Sequence, residues 1–139
     1  MASALWALMD SATRRVVFPE EHGIKIRGVH TGREIPLPAA PGTPSGEANG
    51  TFTVPYSYVD LNGHMNNTRD FDLAEDHMPE PLRERTPIDI RAEYAKEAKP
   101  GETIALRSEF LNGTYLLCGE SGGQRLFRLG FRFADGSES

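Results

Sequence analysis

The sequence predicts an α+β domain in which one helix lies on an antiparallel sheet. Three observations carry that expectation. From Ile88 to Phe133, four segments alternate apolar and polar residues with the two-residue period of strands. Asn112-Gly113 and Gly122-Gly123, which separate the last three, are the dipeptides of tight hairpins. Ahead of them a single stretch repeats Phe71, Ala74 and Met78 at helical spacing. A strand, a helix and then strands in succession suit an antiparallel sheet better than the alternating β-α-β of a parallel one.

From the N-terminus, Ala2 to Met9 is a short apolar run closed by Asp10, which predicts a buried strand with Trp6 in a core. Arg14 to Phe18 predicts a second strand, and residues 19–35 read as irregular. Residues 36–50 hold four prolines and three glycines, a composition that excludes a helix or a central strand and predicts a linker. Thr51 to Val59 is rich in β-branched and aromatic residues and predicts a strand, with Pro55 marking an edge or bulge. Asn66 or Asn67 can cap a helix running to about His77, which Pro79 and Pro81 end. The four strands that follow cover Ile88–Ala98, Thr103–Leu111, Thr114–Glu120 and Gln124–Phe133. On the first, Ile88, Ile90, Ala92 and Tyr94 share a face; on the last, Phe127, Leu129, Phe131 and Phe133 do, and Tyr94 and the Phe stripe are expected in the core. The main domain is thus expected over residues 51–134, with a polar tail at 135–139.

A chain of 139 residues supports one such domain with an appendage. Its net charge of −5 argues against general affinity for nucleic acid or anionic membrane. The single cysteine, Cys118, precludes an internal disulfide, and no zinc-type Cys/His spacing occurs. The N-terminal run lacks a preceding basic residue and is too short to span a bilayer, so a cytoplasmic protein is expected.

The chemistry concentrates in Asp60-Leu61-Asn62-Gly63-His64-Met65-Asn66-Asn67 and, thirty residues on, Glu97. If the first segment is extended, Asp60, Asn62 and His64 point the same way and can converge with Glu97, expected on a facing strand. Glu97 could then act as general base on water, the preferred role, or as nucleophile. His64 could orient it or exchange its proton, Asn62 could hold the water or the developing oxyanion, and Asp60 could fix the His64 tautomer. A helix starting near Asn66 would add free backbone N–H groups for the oxyanion. Against this stand plainer readings: Asp, Asn and Gly are ordinary turn residues, and Glu97 could be a solvated strand-end charge. A calcium loop is excluded, because the twelfth position from Asp60 is Phe71 rather than an acid. His30 and His77 read as surface residues, and His22, next to Glu20 and Glu21, has no partner evident from the sequence.

The octapeptide with a helix behind it, followed by Glu93-Tyr94-Ala95-Lys96-Glu97-Ala98 and Pro100-Gly101-Glu102, resembles the acyl-acyl carrier protein thioesterases of plants and bacteria. The resemblance covers about residues 51–133 and is to the C-terminal of that family's two hotdog domains. Ser3 to Asp10 with Thr13-Arg14-Arg15 resembles the closing strand of the N-terminal one, so residues 1–35 would be its remnant. What the resemblance implies is a hotdog fold, an antiparallel sheet wrapped round one long helix. It also implies hydrolysis of fatty acyl thioesters on acyl carrier protein, releasing free fatty acid in fatty acid biosynthesis, with neither metal nor cofactor. The site residues it implies are Asp60, Asn62, His64 and Glu97. The implied partner is acyl carrier protein, which Arg14, Arg15, Arg69, Arg83, Arg85 and Lys96 could meet, and the domain would pair as a homodimer or on another hotdog domain. The chain departs from the family in carrying Ala98 where plant enzymes have cysteine, which favours a carboxylate mechanism. It also has Asp70 where an aromatic is common, and it lacks most of the N-terminal hotdog. Alternative readings are a non-catalytic truncated remnant and another hotdog enzyme, a coenzyme A thioesterase or a dehydratase.

Overall fold

The computed structural model describes residues 3–5, 7–13, 15–25 and 36–135. Trp6, Arg14, His30 and the end of the tail, for which expectations were stated above, lie outside them. The chain divides into two compact units, Met1–Ala39 and Ala40–Ser139.

In the first unit, β1 (Leu8–Met9) pairs antiparallel with β2 (Val16–Val17). The Asp10 carboxylate shapes the turn between them, accepting hydrogen bonds from the backbone N–H groups of Ala12 and Thr13 at 2.9 and 2.7 Å. The expected buried strand over residues 2–9 is corrected here: the ladder is two residues long, and Leu8 and Met9 are exposed. Two residues from each strand cannot enclose a side chain.

The second unit is a five-stranded antiparallel sheet in the order β3-β5-β6-β7-β4. Its strands are β3 (Gly50–Thr53), β4 (Asp89–Tyr94), β5 (Thr103–Leu111), β6 (Thr114–Ser121) and β7 (Gln124–Arg132). Asn112 and Gly113 have φ of 51° and 77°, the left-handed pair a two-residue hairpin requires, so the β5–β6 turn forms where the sequence predicts it. Gly119 on β6 has a different reason: a Cβ there would lie 2.4 Å from the Phe127 ring.

Helices α1 (Arg69–His77) and α2 (Glu80–Arg83) supply the cover. Leu73, Ala74, Met78 and Leu82 are buried with Ile104, Leu106, Tyr115 and Leu117 and the Phe127–Phe133 stripe in one core. Phe71 meets Phe131 edge to face, with ring centroids 6.2 Å apart. The α+β expectation holds, but α1 is nine residues rather than long. A second correction concerns β4. Ile90, Ala92 and Tyr94 pair in register with Phe131, Leu129 and Phe127, and so share the core face. Yet β4 is an edge strand of the sheet, and Ile88, Ile90 and Tyr94 are 56, 51 and 40% exposed rather than core.

Two further boundaries move. The strand expected over Thr51–Val59 stops at Thr53, and Tyr56–Tyr58 form a 3-10 turn after Pro55. The Pro/Gly-rich segment is a spacer only in part. From residue 41 it lies on the sheet face opposite the helices. A Cβ on Gly130 would lie 3.2 Å from Pro41, Ser45 Oγ donates to Glu109 at 2.9 Å, and Arg128 donates to Thr43 Oγ1 at 2.9 Å. Pro41 and Pro44 are buried there. Arg128 also forms two hydrogen bonds to Glu93, at 3.0 and 2.7 Å, and holds that carboxyl below the usual range.

Candidate functional site

The site is built from two irregular segments, residues 54–68 and 95–102. An isolated bridge pairs Val59 with Met65, and between them the chain folds back on itself. The Asp60 N–H donates to the His64 carbonyl at 3.0 Å, the Gly63 N–H to the Asp60 carbonyl at 3.0 Å, and the Asn62 N–H to the Asp60 carboxylate at 2.8 Å. Gly63, at φ 79°, takes the left-handed position that closes the turn. The expectation of an extended Asp60–His64 segment is therefore corrected. Asp and Asn favour local hydrogen bonding over extension when a glycine follows, and the Asp60 carboxylate shapes the turn instead of meeting the imidazole. Asn62 lies exposed at the tip.

The second segment leaves β4 while still bound to β7: the N–H groups of Ala95 and Lys96 donate to the Leu126 carbonyl at 2.8 and 3.1 Å. Its far end is a turn over Lys99-Pro100-Gly101-Glu102, with Gly101 at φ 78° and the Lys99 N–H bonded to the Glu102 carboxylate at 2.8 Å. Glu97 is thus not on a strand, as expected, but in the loop between these anchors.

One hydrogen bond joins the segments at their centres, from the Met65 N–H to the Ala98 carbonyl at 2.8 Å. It sets their chain neighbours His64 and Glu97 side by side, with the His64 Nδ1 3.2 Å from the Glu97 Oε2. The distance is that of an ion pair, but Nδ1 is not aligned with the oxygen as a hydrogen bond requires. The side chains are 30 and 49% exposed, so the pair faces solvent.

The helix start differs from expectation. Thr68 is the capping residue and makes no side-chain cap bond; Asn66 instead closes a turn just ahead of the helix, accepting from the Thr68 N–H at 2.9 Å. The N–H groups of Arg69, Asp70 and Phe71 are bonded to the carbonyls three residues back. Only the Asn67 N–H lacks an acceptor in this stretch among the described residues, so the helix offers one oxyanion donor rather than a cluster.

The sequence marks Asp70 as a departure from the family but gives it no place in the site. Asp70, in the first turn of α1, is 5% exposed, and burial pushes its carboxyl up to about 7. Tyr94 faces it and donates to the Asn67 carbonyl at 3.3 Å; burial and then the Asp70 charge push its hydroxyl up to about 12. The signal was an acid where the helical pattern calls for an apolar residue. No group of three or more His, Cys, Asp or Glu among the described residues is arranged to hold a metal, and none of their helices is long and apolar enough to cross a membrane.

Comparison with known proteins gives a family and a fold. The family described as acyl-ACP thioesterase C-terminal domain matches residues 44–128. No curated protein sequence matches the chain. Among solved structures, an acyl-ACP thioesterase from Bacteroides thetaiotaomicron superposes with a TM-score of 0.70 at 20% identity, covering 91% of this chain and 53% of that one. The 12:0-ACP thioesterase from Umbellularia californica gives 0.63 at 18% identity, covering 91 and 52%. The chain spans about half the length of these structures. The fold is a hotdog fold.

Proposed function

The chain belongs to the acyl-ACP thioesterase family through that family's C-terminal domain, and from this premise we propose that it hydrolyses fatty acyl thioesters carried on acyl carrier protein, releasing free fatty acid for lipid metabolism. The observation that supports the proposal most is the His64–Glu97 pair, 3.2 Å apart and open to solvent. In this reading the Glu97 carboxylate takes a proton from a water that attacks the thioester carbon. His64 holds that carboxylate in line and shuttles the proton towards the departing thiolate. Negative charge forms on the carbonyl oxygen, where the Asn67 N–H and the Asn62 amide are the donors at hand. One well-placed donor is worth on the order of 3 kcal/mol of barrier. Asp60 acts indirectly, through the turn that presents Asn62 and His64.

The reading includes a partner for the sheet edge. We take residues 1–35 as the close of a preceding hotdog domain, and the exposed Ile88, Ile90 and Tyr94 as the rim on which a second hotdog domain, or a second copy, docks. The length of the relatives, about twice that covered here, supports this.

Release of thiol from acyl carrier protein and coenzyme A thioesters, measured beside Glu97→Ala and His64→Ala, tests the proposal. Turnover of the carrier-protein substrate that both variants lose is the expected result. Equal rates for all three proteins would return the chain to the reading of a non-catalytic remnant.

A further inference from the structure

Two wall residues of a small polar cavity are chain neighbours of His64 and Glu97. The cavity, of about 10 Å³, is walled by Met65, Asn67, Asp70, Tyr94, Ala98 and Phe127. Met65 and Ala98 are the chain neighbours of His64 and Glu97 and are hydrogen bonded to each other, so the cavity lies one residue along each segment from the pair. Its volume suits one water-sized oxygen.

Asp70 is the feature that needs a reason. An acid in the first turn of a helix normally stabilises it by standing ionised in solvent. Asp72, exposed and 3.1 Å from Arg69, does so. Asp70 is 95% buried, and its carboxyl accepts no hydrogen bond among the described residues. The charged and titratable groups around it do not relieve this. Tyr94 points its proton at the Asn67 carbonyl, and Lys96, which also lines the cavity, donates to Gln124 at 2.7 Å. The Tyr94 oxygen keeps its lone pairs as acceptors. A hydroxyl seated between the two accepts from the protonated Asp70 carboxyl and donates to the Tyr94 oxygen. A carboxyl that titrates near neutrality serves as donor or acceptor at working pH.

We propose that this cavity is a subsite for a hydroxyl on the acyl chain close to the thioester, and that Asp70 selects substrates bearing one. The preferred substrate class is then a β-hydroxyacyl thioester rather than an unsubstituted acyl thioester. The inference rests on the thioesterase reading of the neighbouring pair. Without substrate, the same space suits one water, which the hydroxyl would displace while keeping its hydrogen bonds. An unsubstituted chain would displace the water and leave Asp70 facing methylene groups, the situation that gives polar sites their strong discrimination.

The test compares β-hydroxyacyl and plain acyl thioesters of equal chain length on acyl carrier protein, using the full chain, Asp70→Asn and Asp70→Leu. The expected result is a kcat/KM ratio of about 10 or more in favour of the hydroxylated substrate. Asp70→Leu brings that ratio to one or below, and Asp70→Asn, which keeps the shape and hydrogen-bonding capacity, leaves part of it. A ratio near one in the unaltered protein, or a ratio that neither variant changes, overturns the subsite. Calorimetric binding of non-hydrolysable thioether analogues with and without the hydroxyl separates the two readings. Hydroxyl-dependent binding without turnover of either thioester sinks the hydrolase reading and keeps the subsite. Equal affinities sink the subsite alone.

Discussion

The β5–β6–β7 meander and the loop-built site hold their residues by different means. In the meander, each strand is bonded along its length and buries alternate side chains under α1. Leu117 and Leu129 are fully buried, opposite each other in register. At the site, one backbone hydrogen bond between two irregular segments places the pair, and its side chains stay exposed. The meander is therefore where stability resides, and the loops are where a side chain can be changed without unfolding the chain. Activity and stability should respond to different substitutions.

The largest separation is expected at Glu97. Glu97→Gln should lower thioester hydrolysis about 10³-fold or more, while urea unfolding shifts by no more than about 0.5 kcal/mol. A matching loss of stability would contradict the division.

Asp70 belongs to both regions, and pH separates its roles. Its folded-state carboxyl, near 7, lies above the ordinary value of 3.8, so the folded protein holds an extra proton between about pH 4 and 7. Its contribution to stability is full below about pH 4 and is lost as pH rises through 7. The full swing is on the order of 4 kcal/mol. Carboxyls held low by partners, Glu93 and Glu102 among them, act in the opposite sense. The informative quantity is thus the difference between the unaltered protein and Asp70→Asn across denaturant titrations at several pH values. Removing the acid should flatten the profile between pH 4 and 7, and parallel profiles would show that Asp70 does not titrate near neutrality.

Leu129→Ala tests the other pole. A cavity at the centre of the core should cost about 3 kcal/mol, seen as a lower denaturation midpoint, with activity per folded molecule unchanged. The smallest effect is expected at Asp60. Asp60→Ala removes one hydrogen bond from the Asn62 turn, worth about 1 kcal/mol. If Asp60 acts through the turn, hydrolysis should fall about tenfold and Asp60→Asn should restore much of it. A loss as deep as that of Glu97→Gln, without rescue, would make Asp60 a direct participant.

Much of the meander was legible in the sequence because its determinants are local. Asn112-Gly113 specifies a turn, and period-two alternation from Phe127 to Phe133 specifies which side chains are buried. The errors arose where a residue's environment is supplied by distant chain. Tyr94 and Ile90 carry a core pattern but lie on an edge strand, where they stay 40 and 51% exposed. The octapeptide suggested an extended strand, yet Asp60 and Gly63 form a turn once Val59 bridges Met65. Part of the Pro/Gly-rich segment packs because Gly130 and Leu116 leave room for Pro41 and Gly42 on the outer face.

By itself, the sequence determined the order of elements, the hairpin turns and the residue types that can carry hydrolysis, since these follow from backbone preference and side-chain chemistry acting over a few residues. Only the tertiary structure decided that His64 meets Glu97 while Asp60 turns away, and that Asp70 is buried in a cavity with Tyr94. Those facts depend on a hydrogen bond between Met65 and Ala98, thirty-three positions apart along the chain, and on how far a short helix covers its sheet. No local pattern encodes either.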